Sequence, residues 1–327
     1  MTKHVIHTSE RKNFKDCRQL WEFHSPNRMA LDPIRVNRNL RFGTAIHAGL
    51  EVWYDPAMWE GDRYAVQAMS LLAFVKAYPY DGIEGDVEQM DAWEADLVLG
   101  KGMLEGYFKW ALEHDTFTPI SVEQEFEVEL PLEDASYAGR LDLLVRDQHG
   151  DYWILDHKTA ARLEDESFLV LDQQITSYCW AMQHVLNIPI AGFIYNELRK
   201  DVPHPPELLK NGRLSQNKNQ NTTYELYLDK INELGQSVNS YAGILEHLQS
   251  QGNKFFRRTY VQRSPRELEI AGEMILLEAT DMLSNPSIYP NPGKHCTWCD
   301  FRSPCLARMD GSDTNWILES NYVKKGD

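Results

Sequence analysis

The sequence contains no run of apolar residues that approaches the roughly 20 needed for a membrane-spanning helix. Its first residues, MTKHVIHTSERKNF, lack the apolar segment of a secretory signal and the Arg-rich amphipathic pattern of an organellar presequence. We therefore expect a cytoplasmic protein that has no association with a membrane.

Positive charge is also scarce. Lys and Arg number 33 against 49 Asp and Glu, which gives a formal net charge of −16. This balance excludes a protein that coats nucleic acid through bulk electrostatics, because neutralising phosphates requires clustered Lys and Arg. It does not exclude an enzyme acting on DNA, because local basic clusters at residues 35–41 and 254–266 can still guide a strand.

The hydrophobic fraction of 43% and the nine Trp residues are typical of a folded globular chain rather than a disordered one. We expect residues 1–327 to form a single domain with a large core. Residues 61–115 are rich in Trp, Tyr, Met and Leu and predict a helical insertion beside that core.

Residues 139–158, GRLDLLVRDQHGDYWILDHK, predict a β-hairpin with Asp142, Asp156 and Lys158 near the strand ends. A carboxylate beside apolar strands is costly unless it is paired or bound to a cation. Two acids and a lysine in this arrangement indicate a divalent metal site. The alternative is a hairpin whose acids face solvent and pair with Lys158 in an ordinary surface interaction.

Two helices supply further polar side chains. The segment from Asn39 predicts a helix in which His47 and Glu51 are i, i+4 neighbours, so His47 is either a metal ligand or a core-edge histidine bonded to Glu51. In a helix over residues 166–187, Gln174 and Tyr178 share one face, where they contact a phosphate or lie at the core boundary.

Other segments predict mainly structural elements. These are an amphipathic helix over 9–24 with Cys17 on its apolar face, and a strand over 120–130 whose Glu123 faces solvent and whose Glu125 either faces solvent or reaches the metal site. A buried strand over 192–198 is followed by Arg199 and Lys200, which we expect to contact DNA phosphates. Three more elements follow: a short strand at Tyr224–Leu228, a basic strand at 255–261 and a helix at 265–283.

Cys296, Cys299 and Cys305 form a C-x2-C-x5-C pattern after a Pro- and Gly-rich turn. Disulfides are disfavoured in the cytoplasm, so this spacing indicates thiolates that converge on one metal ion or cluster. The fourth ligand is either His295, which would favour zinc, or Cys17. Cys179 matches neither pattern and is expected to be a buried thiol.

In sequence order, these residues resemble the PD-(D/E)xK nuclease superfamily. Gly139 to Asp142 match its G-x-x-D strand, and Asp156 to Lys158 match its D-x-K strand. Gly43 to His47 and Gln174 to Tyr178 resemble the G-x-x-x-H and Q-x-x-x-Y motifs of RecB-like nucleases. One early and three late cysteines resemble the cluster-binding members, including AddB and the CRISPR-associated adaptation exonucleases.

The resemblance implies an α/β fold with a restriction-endonuclease-like core, in which helices flank a central mixed sheet. It also implies a [4Fe-4S] cluster on Cys17, Cys296, Cys299 and Cys305, with zinc as the alternative occupant. Residue 17 and residues 290–310 would then form an iron–sulfur module that joins the N- and C-terminal segments.

The chemistry implied is metal-dependent phosphodiester hydrolysis. His47, Asp142, Asp156 and the backbone carbonyl of His157 would bind one or two Mg2+ or Mn2+ ions, and Lys158 would position or deprotonate the attacking water. Gln174 and Tyr178 would assist at the DNA strand. The implied activity is that of a DNA exonuclease on single-stranded or free-ended DNA, in repair, recombination or CRISPR adaptation.

Two alternatives remain open. One is a DNA-end-binding or processing subunit with weak nuclease activity, whose role is set by a helicase, a single-strand annealing protein or an adaptation integrase. The other is a zinc-stabilised hydrolase of different chemistry.

Overall fold

The computed structural model describes residues 3–82 and 86–325. The strands are β1 (His4–His7), β2 (Leu31–Pro33), β3 (Phe117–Glu129), β4 (Ala135–Asp147), β5 (Tyr152–Ala160), β6 (Ile190–Arg199), β7 (Phe256–Gln262) and β8 (Tyr322–Lys324). Helices α1 to α6 are Thr8–Asp16, Arg18–His24, Arg38–Trp53, Arg63–Ala77, Val87–His114 and Glu166–Leu169. Helices α7 to α12 are Gln173–Leu186, Tyr224–Glu233, Ala242–Gln251, Pro265–Leu283, Arg302–Asp310 and Thr314–Asn321. Within the described ranges, no helix has the length and apolar character needed to cross a bilayer.

Six strands form one mixed sheet in the order β1-β4-β5-β6-β7, with β3 also pairing with β4. The pairs β1–β4 and β5–β6 are parallel, whereas β3–β4, β4–β5 and β6–β7 are antiparallel. The parallel connection from β5 to β6 runs through α6 and α7, as the geometry of parallel strands requires.

The sheet forks along β4. One side of β4 pairs with β3, and the other side pairs with β1 over residues 135–138 and with β5 over residues 143–146. Residues 139–142 of β4 therefore lie between β1 and β5 and, among the residues that the structure describes, have no strand partner on that side. This gap in the sheet leaves room for a site beside β4.

Helices cover both faces of the sheet, because alternate strand residues point to opposite sides. Leu144, Ile154 and Phe193 belong to one core with residues of α7 and α10. Leu143, Leu155 and Ile194 belong to a second core with residues of α3, α4 and α5. The predicted α/β fold with a central mixed sheet flanked by helices is confirmed.

Two further parts lie outside this sheet. Residues between β6 and β7 include α8 and α9, which bury their own small core around Tyr227 and Tyr241. Near the C-terminus, β8 pairs antiparallel with β2, and Phe23 and Phe301 stack at 5.4 Å between their ring centroids. The N- and C-terminal segments are therefore in direct contact.

Three local predictions were wrong. The expected helix over 166–187 is interrupted at residues 170–172, where Asp172 caps α7 by accepting a hydrogen bond from Ile175 N–H, so α6 and α7 are separate helices. The expected helix over 9–24 is broken at Cys17, whose φ of −162° is extended, so α1 and α2 are separate helices. Tyr224–Leu228 begins helix α8 and is not a strand, because Thr223 caps the helix by accepting a hydrogen bond from Leu226 N–H.

Candidate active site

A cleft of about 880 Å³ opens at the gap in the sheet. His47 from α3, Glu123 from β3 and Asp142 from β4 line it together with Gln174 and Tyr178 from α7. The residues come from both helical layers and the sheet, so the fold assembles them from four separate parts of the chain.

Gly139 lies in the middle of β4, three residues before Asp142, where neighbouring side chains leave no room for a Cβ atom. A Cβ atom at this position would lie 2.6 Å from a Phe126 ring atom and 2.9 Å from Thr8 Oγ1. Any larger residue would therefore push α1 or β3 away from β4. The glycine allows both neighbours to approach the strand at the edge of the cleft.

His47, Glu123 and Asp142 form the one group of three or more metal-ligand side chains, within the described ranges, whose ligand atoms all lie within 4.8 Å of one another. Neutral imidazole and carboxylate oxygens are suitable ligands for Mn2+ or Mg2+. The donor set therefore suits a divalent cation.

Glu123 was not predicted to be a site residue, because the alternating pattern of the strand placed it on the solvent face. In the structure β3 pairs Val122 with Leu143 and Gln124 with Leu141, so Glu123 lies opposite Asp142. Its φ of 44° is in the left-handed region, which costs a residue with a side chain on the order of 1–3 kcal/mol. No pattern in the sequence predicts this backbone conformation, because tertiary contacts offset its free-energy cost. Glu125 also lines the cleft but lies outside the group of three.

Asp142 is held as a carboxylate. It accepts a hydrogen bond of 2.7 Å from the His157 backbone N–H, and His47 Nδ1 lies 3.5 Å from its Oδ2. Although burial opposes ionisation, the hydrogen bond and charge of His47 hold the pKa of Asp142 well below its usual range. Burial and then the charge of Asp142 raise the pKa of Glu123, so the two acids together favour a bound cation.

Asp156 and Lys158 lie beside this group on β5. Lys158 Nζ is 2.7 Å from Asp156 Oδ2. Burial raises the pKa of Asp156 to about 6, against the opposing charge of Lys158. Burial disfavours the Lys158 cation, but the charge of Asp156 raises the lysine pKa above its usual value. Lys158 and Asp156 therefore form an ion pair on β5.

His157 lies between these two residues, and its side chain points to the opposite face of the sheet. Its carbonyl oxygen accepts a hydrogen bond of 2.9 Å from His47 Nε2–H. The backbone of His157 therefore contacts both His47 and Asp142. The imidazole is only 4% exposed, and burial lowers its pKa to about 3.

The buried imidazole makes the protein sensitive to acid. Because the folded pKa of His157 is lowered from 6.5 to about 3, the folded state binds fewer protons in this window than the unfolded state. The stabilisation is complete above pH 6.5 and is lost as the pH falls toward 3. As the pH falls, we expect the free energy of unfolding of the wild type to decrease by up to about 1.4 kcal/mol more per pH unit than that of His157→Gln. Urea unfolding in chelator at several pH values measures this difference.

His149→Gln is the matched control, because His149 is exposed in the β4–β5 turn. The control should keep the full wild-type pH dependence. Equal slopes for wild type and His157→Gln would show that His157 is not the group responsible.

All four predicted DNA contacts have partners within the protein. Gln174 Nε2 donates to Tyr178 OH at 3.2 Å, and both side chains line the cleft. Arg199 NH2 lies 3.0 Å from Asp201 Oδ2, and Lys200 Nζ donates to Asn39 Oδ1 at 3.1 Å. Because β5 and β6 are parallel, Arg199 and Lys200 lie at the same end of the sheet as Lys158.

A second cavity lies at the contact between the chain termini. Cys17, Cys296, Cys299 and Cys305 all line this cavity of about 350 Å³, whose walls are otherwise largely apolar. The backbone N–H groups of Asn291 and Gly293 donate to the sulfurs of Cys17 and Cys296 at 3.4 and 3.5 Å. Among the described residues, the cysteine sulfurs do not form a group within 4.8 Å of one another.

The structure also places the two other residues considered with this cysteine pattern, His295 and Cys179. His295 also lines this cavity. Cys179 is fully buried in α7 and is not among the residues that line it. Burial raises the pKa of its thiol to about 12, as expected for an inert structural cysteine.

A family model described as the PD-(D/E)XK nuclease superfamily matches residues 8–306. The chain belongs to this superfamily, whose members generally use a divalent metal ion. A search of curated proteins found no match.

Solved structures are similar at low sequence identity. A candidate exonuclease from Eubacterium rectale is 10% identical, with a TM-score of 0.48 over 91% of this chain and 87% of that one. SSO0001 is 12% identical, with a TM-score of 0.32 over 82% of this chain and 95% of that one. The superfamily assignment therefore comes from the family model.

Proposed function

We propose that this protein is a metal-dependent deoxyribonuclease that degrades DNA from free ends, with single-stranded DNA as the favoured substrate. The observation that carries the proposal is the convergence of His47, Glu123 and Asp142 beside the Asp156–Lys158 pair, at the gap in a PD-(D/E)XK sheet. DNA is the partner that this chemistry requires, and the cytoplasm is the compartment that we propose.

The metal site proposed comprises His47, Asp142, Asp156 and the His157 carbonyl, to which the structure adds Glu123. Mg2+ or Mn2+ in this site would make water a better nucleophile and offset the charge that develops on the phosphate. Acidic side chains supply most of the ligands, so the negative cleft can receive a negative substrate only when a cation is bound. This requirement makes strict metal dependence an expected property of the enzyme.

Lys158 is proposed to orient the attacking water and stabilise negative charge. Its ammonium group is held by Asp156 on the same strand, so its position relative to the metal ligands is fixed by β5. Gln174 and Tyr178 are proposed to donate to a phosphate oxygen, because both line the cleft with polar groups. Arg199 and Lys200 are proposed to contact the strand as it leaves this end of the sheet.

We also propose a [4Fe-4S] cluster on Cys17, Cys296, Cys299 and Cys305. Four thiols line one apolar cavity, and two of them accept backbone N–H hydrogen bonds, as cluster ligands commonly do. Around one zinc ion the sulfurs would have to converge closely, since Zn–S distances are about 2.3 Å. Four thiols suit either occupant, and the resemblance to the cluster-binding RecB-like nucleases favours the cluster, which would fasten α2 to the C-terminal segment.

A cleavage assay tests the nuclease proposal. End-labelled single-stranded, duplex and closed circular DNA are incubated with anaerobically purified protein and Mn2+, Mg2+ or chelator. We expect cleavage of linear but not circular DNA, and complete loss of activity in chelator because the acidic cleft then lacks its cation.

Every other outcome would contradict a particular part of the proposal. Cleavage of closed circles would contradict the requirement for an end. Folded, iron-loaded protein that cleaves nothing would contradict the nuclease proposal. It would favour a DNA-end-binding subunit that depends on a helicase, an annealing protein or an adaptation integrase. Cleavage that persists in chelator would contradict the metal site.

A further inference from the structure

Three polar residues form a row across adjacent strands behind the proposed metal site. His157 on β5 pairs with Asn196 on β6, and Asn196 pairs with Arg258 on β7. All three side chains lie on the sheet face covered by α3 and α5, opposite to Asp156 and Lys158. Asn196 is completely buried. A buried polar row of this kind is costly unless every member is hydrogen-bonded.

The hydrogen bonds in this row have one consistent direction. Arg258 Nε lies 3.1 Å from Asn196 Oδ1, and a guanidinium group can only donate. The oxygen of the Asn196 amide therefore faces Arg258, and its nitrogen faces His157. Asn196 Nδ2 lies 2.7 Å from His157 Nδ1, so the ring nitrogen is the acceptor. The row thus selects the neutral His157 tautomer that carries its proton on Nε2.

Arg258 is itself fixed by four groups at the far end of the row. It donates to Tyr54 OH at 2.8 Å, to Tyr107 OH at 3.0 Å and to the His114 carbonyl at 2.9 Å, and it forms an ion pair with Asp115. The side chains of Arg258 and Asp115 are only 5% and 6% exposed. A charged pair at this depth holds its geometry strongly, because breaking it would leave a buried charge alone.

The other side of His157 faces the metal site. Its carbonyl contacts His47 and its N–H contacts Asp142, whereas its ring stacks on Tyr54, a partner of Arg258, with the centroids 5.7 Å apart. Rotation of this peptide would move the carbonyl away from the proposed metal ligands. The side chain of His157 is the part of the residue that the buried row holds in place.

We infer that Asn196 and Arg258 are positioning residues that fix the His157 peptide, and with it the metal-ligand set, through the orientation of the Asn196 amide. This inference rests on the proposed metal site but not on the identity of the substrate. Neither residue touches the cleft, so their effect reaches the metal through His157. Partners of this kind, which orient a ligand without binding the metal, typically contribute about 10–100-fold in metal affinity.

Asn196→Leu is the decisive variant, because an apolar side chain of similar size can neither donate to His157 Nδ1 nor accept from Arg258 Nε, whereas Asn196→Asp keeps a hydrogen bond once the ring proton moves to Nδ1. We expect the dissociation constant for Mn2+, measured by titration calorimetry on metal-free protein, to rise by about 10–100-fold. Arg258→Lys keeps the charge facing Asp115 but loses the several N–H donors of the guanidinium group. We expect its dissociation constant for Mn2+ to rise as well. Thr259→Val is the control, since Thr259 is adjacent on β7 and its buried hydroxyl has no hydrogen-bond partner among the described residues.

A second readout needs no metal. Long-range 1H–15N spectra, with the His157 signal assigned by comparison with His157→Gln, should show an Nε2-protonated ring in the wild type. The ring should be protonated on Nδ1 in Asn196→Asp. A wild-type ring protonated on Nδ1 would overturn the inference.

The outcomes separate this inference from the proposed function. Wild type that binds Mn2+, with equal affinity in folded Asn196→Leu and Arg258→Lys, would overturn the positioning role alone. Variants that lose thermal stability but keep the wild-type affinity for Mn2+ would also overturn the positioning role. Wild type that binds no Mn2+ would overturn the metal site, and the positioning role with it. Binding of Mn2+ without DNA cleavage would overturn only the nuclease proposal.

Discussion

Lys158→Met is expected to lower the rate of DNA cleavage by about 10²–10⁴-fold while leaving Mn2+ affinity within a few-fold of wild type. The lysine supplies charge and orientation at the reacting phosphate, but it is not a metal ligand. Its side chain is 43% exposed, so the substitution does not open a cavity in the core. Single-turnover cleavage of end-labelled DNA at saturating Mn2+, together with calorimetric Mn2+ titration, measures the two quantities separately.

Asp142→Asn is expected to differ from Lys158→Met in its effect on Mn2+ binding. The amide oxygen can still accept the hydrogen bond from His157 N–H, so the local structure should persist. Loss of the carboxylate charge should remove both Mn2+ binding and cleavage. Asp151→Asn, in the exposed β4–β5 turn, is the matched control and should retain both. Substantial cleavage by both Lys158→Met and Asp142→Asn would refute the assignment of the active site.

Cys17→Ser and Cys296→Ser are each expected to lose all bound iron and most of the soluble protein. Anaerobically purified wild type should carry about four iron atoms per chain, as one [4Fe-4S] cluster requires. Binding of the cluster by its cysteine ligands contributes directly to the free energy of folding. Cys17 and Cys296 are 279 residues apart in sequence. Iron analysis, visible absorbance and the soluble fraction after expression are the measurements.

Cys179→Ala controls for the loss of a cysteine as such, because Cys179 is buried in α7 away from this cavity. It should retain iron and solubility. Wild type that contains about one zinc and no iron would replace the cluster by the zinc alternative. Wild type that contains neither would leave contacts such as the β2–β8 pairing and the Phe23–Phe301 stack to link the chain termini.

Much of the fold follows from local pattern. The hairpin of β4 and β5 was predicted because two apolar runs flank a polar turn containing Gly150. Helix α10 spans Pro265–Leu283 as expected, because Ser264 and Glu267 form a capping box and Pro265 occupies the first turn. The amphipathic run over 9–24 and the short run at 224–228 were misjudged because neither pattern shows where a chain must break or cap.

The sequence by itself determined the superfamily, the fold class and most of the side chains of the candidate site, because these are carried by short motifs in a fixed order. The tertiary structure alone placed Glu123 in the cleft, through a fork in the sheet and a left-handed backbone conformation. It also joined His157 to Asn196 and Asn196 to Arg258, which are 39 and 62 residues apart. Cross-strand pairing between distant segments creates these contacts, and no local periodicity records which residues will face one another.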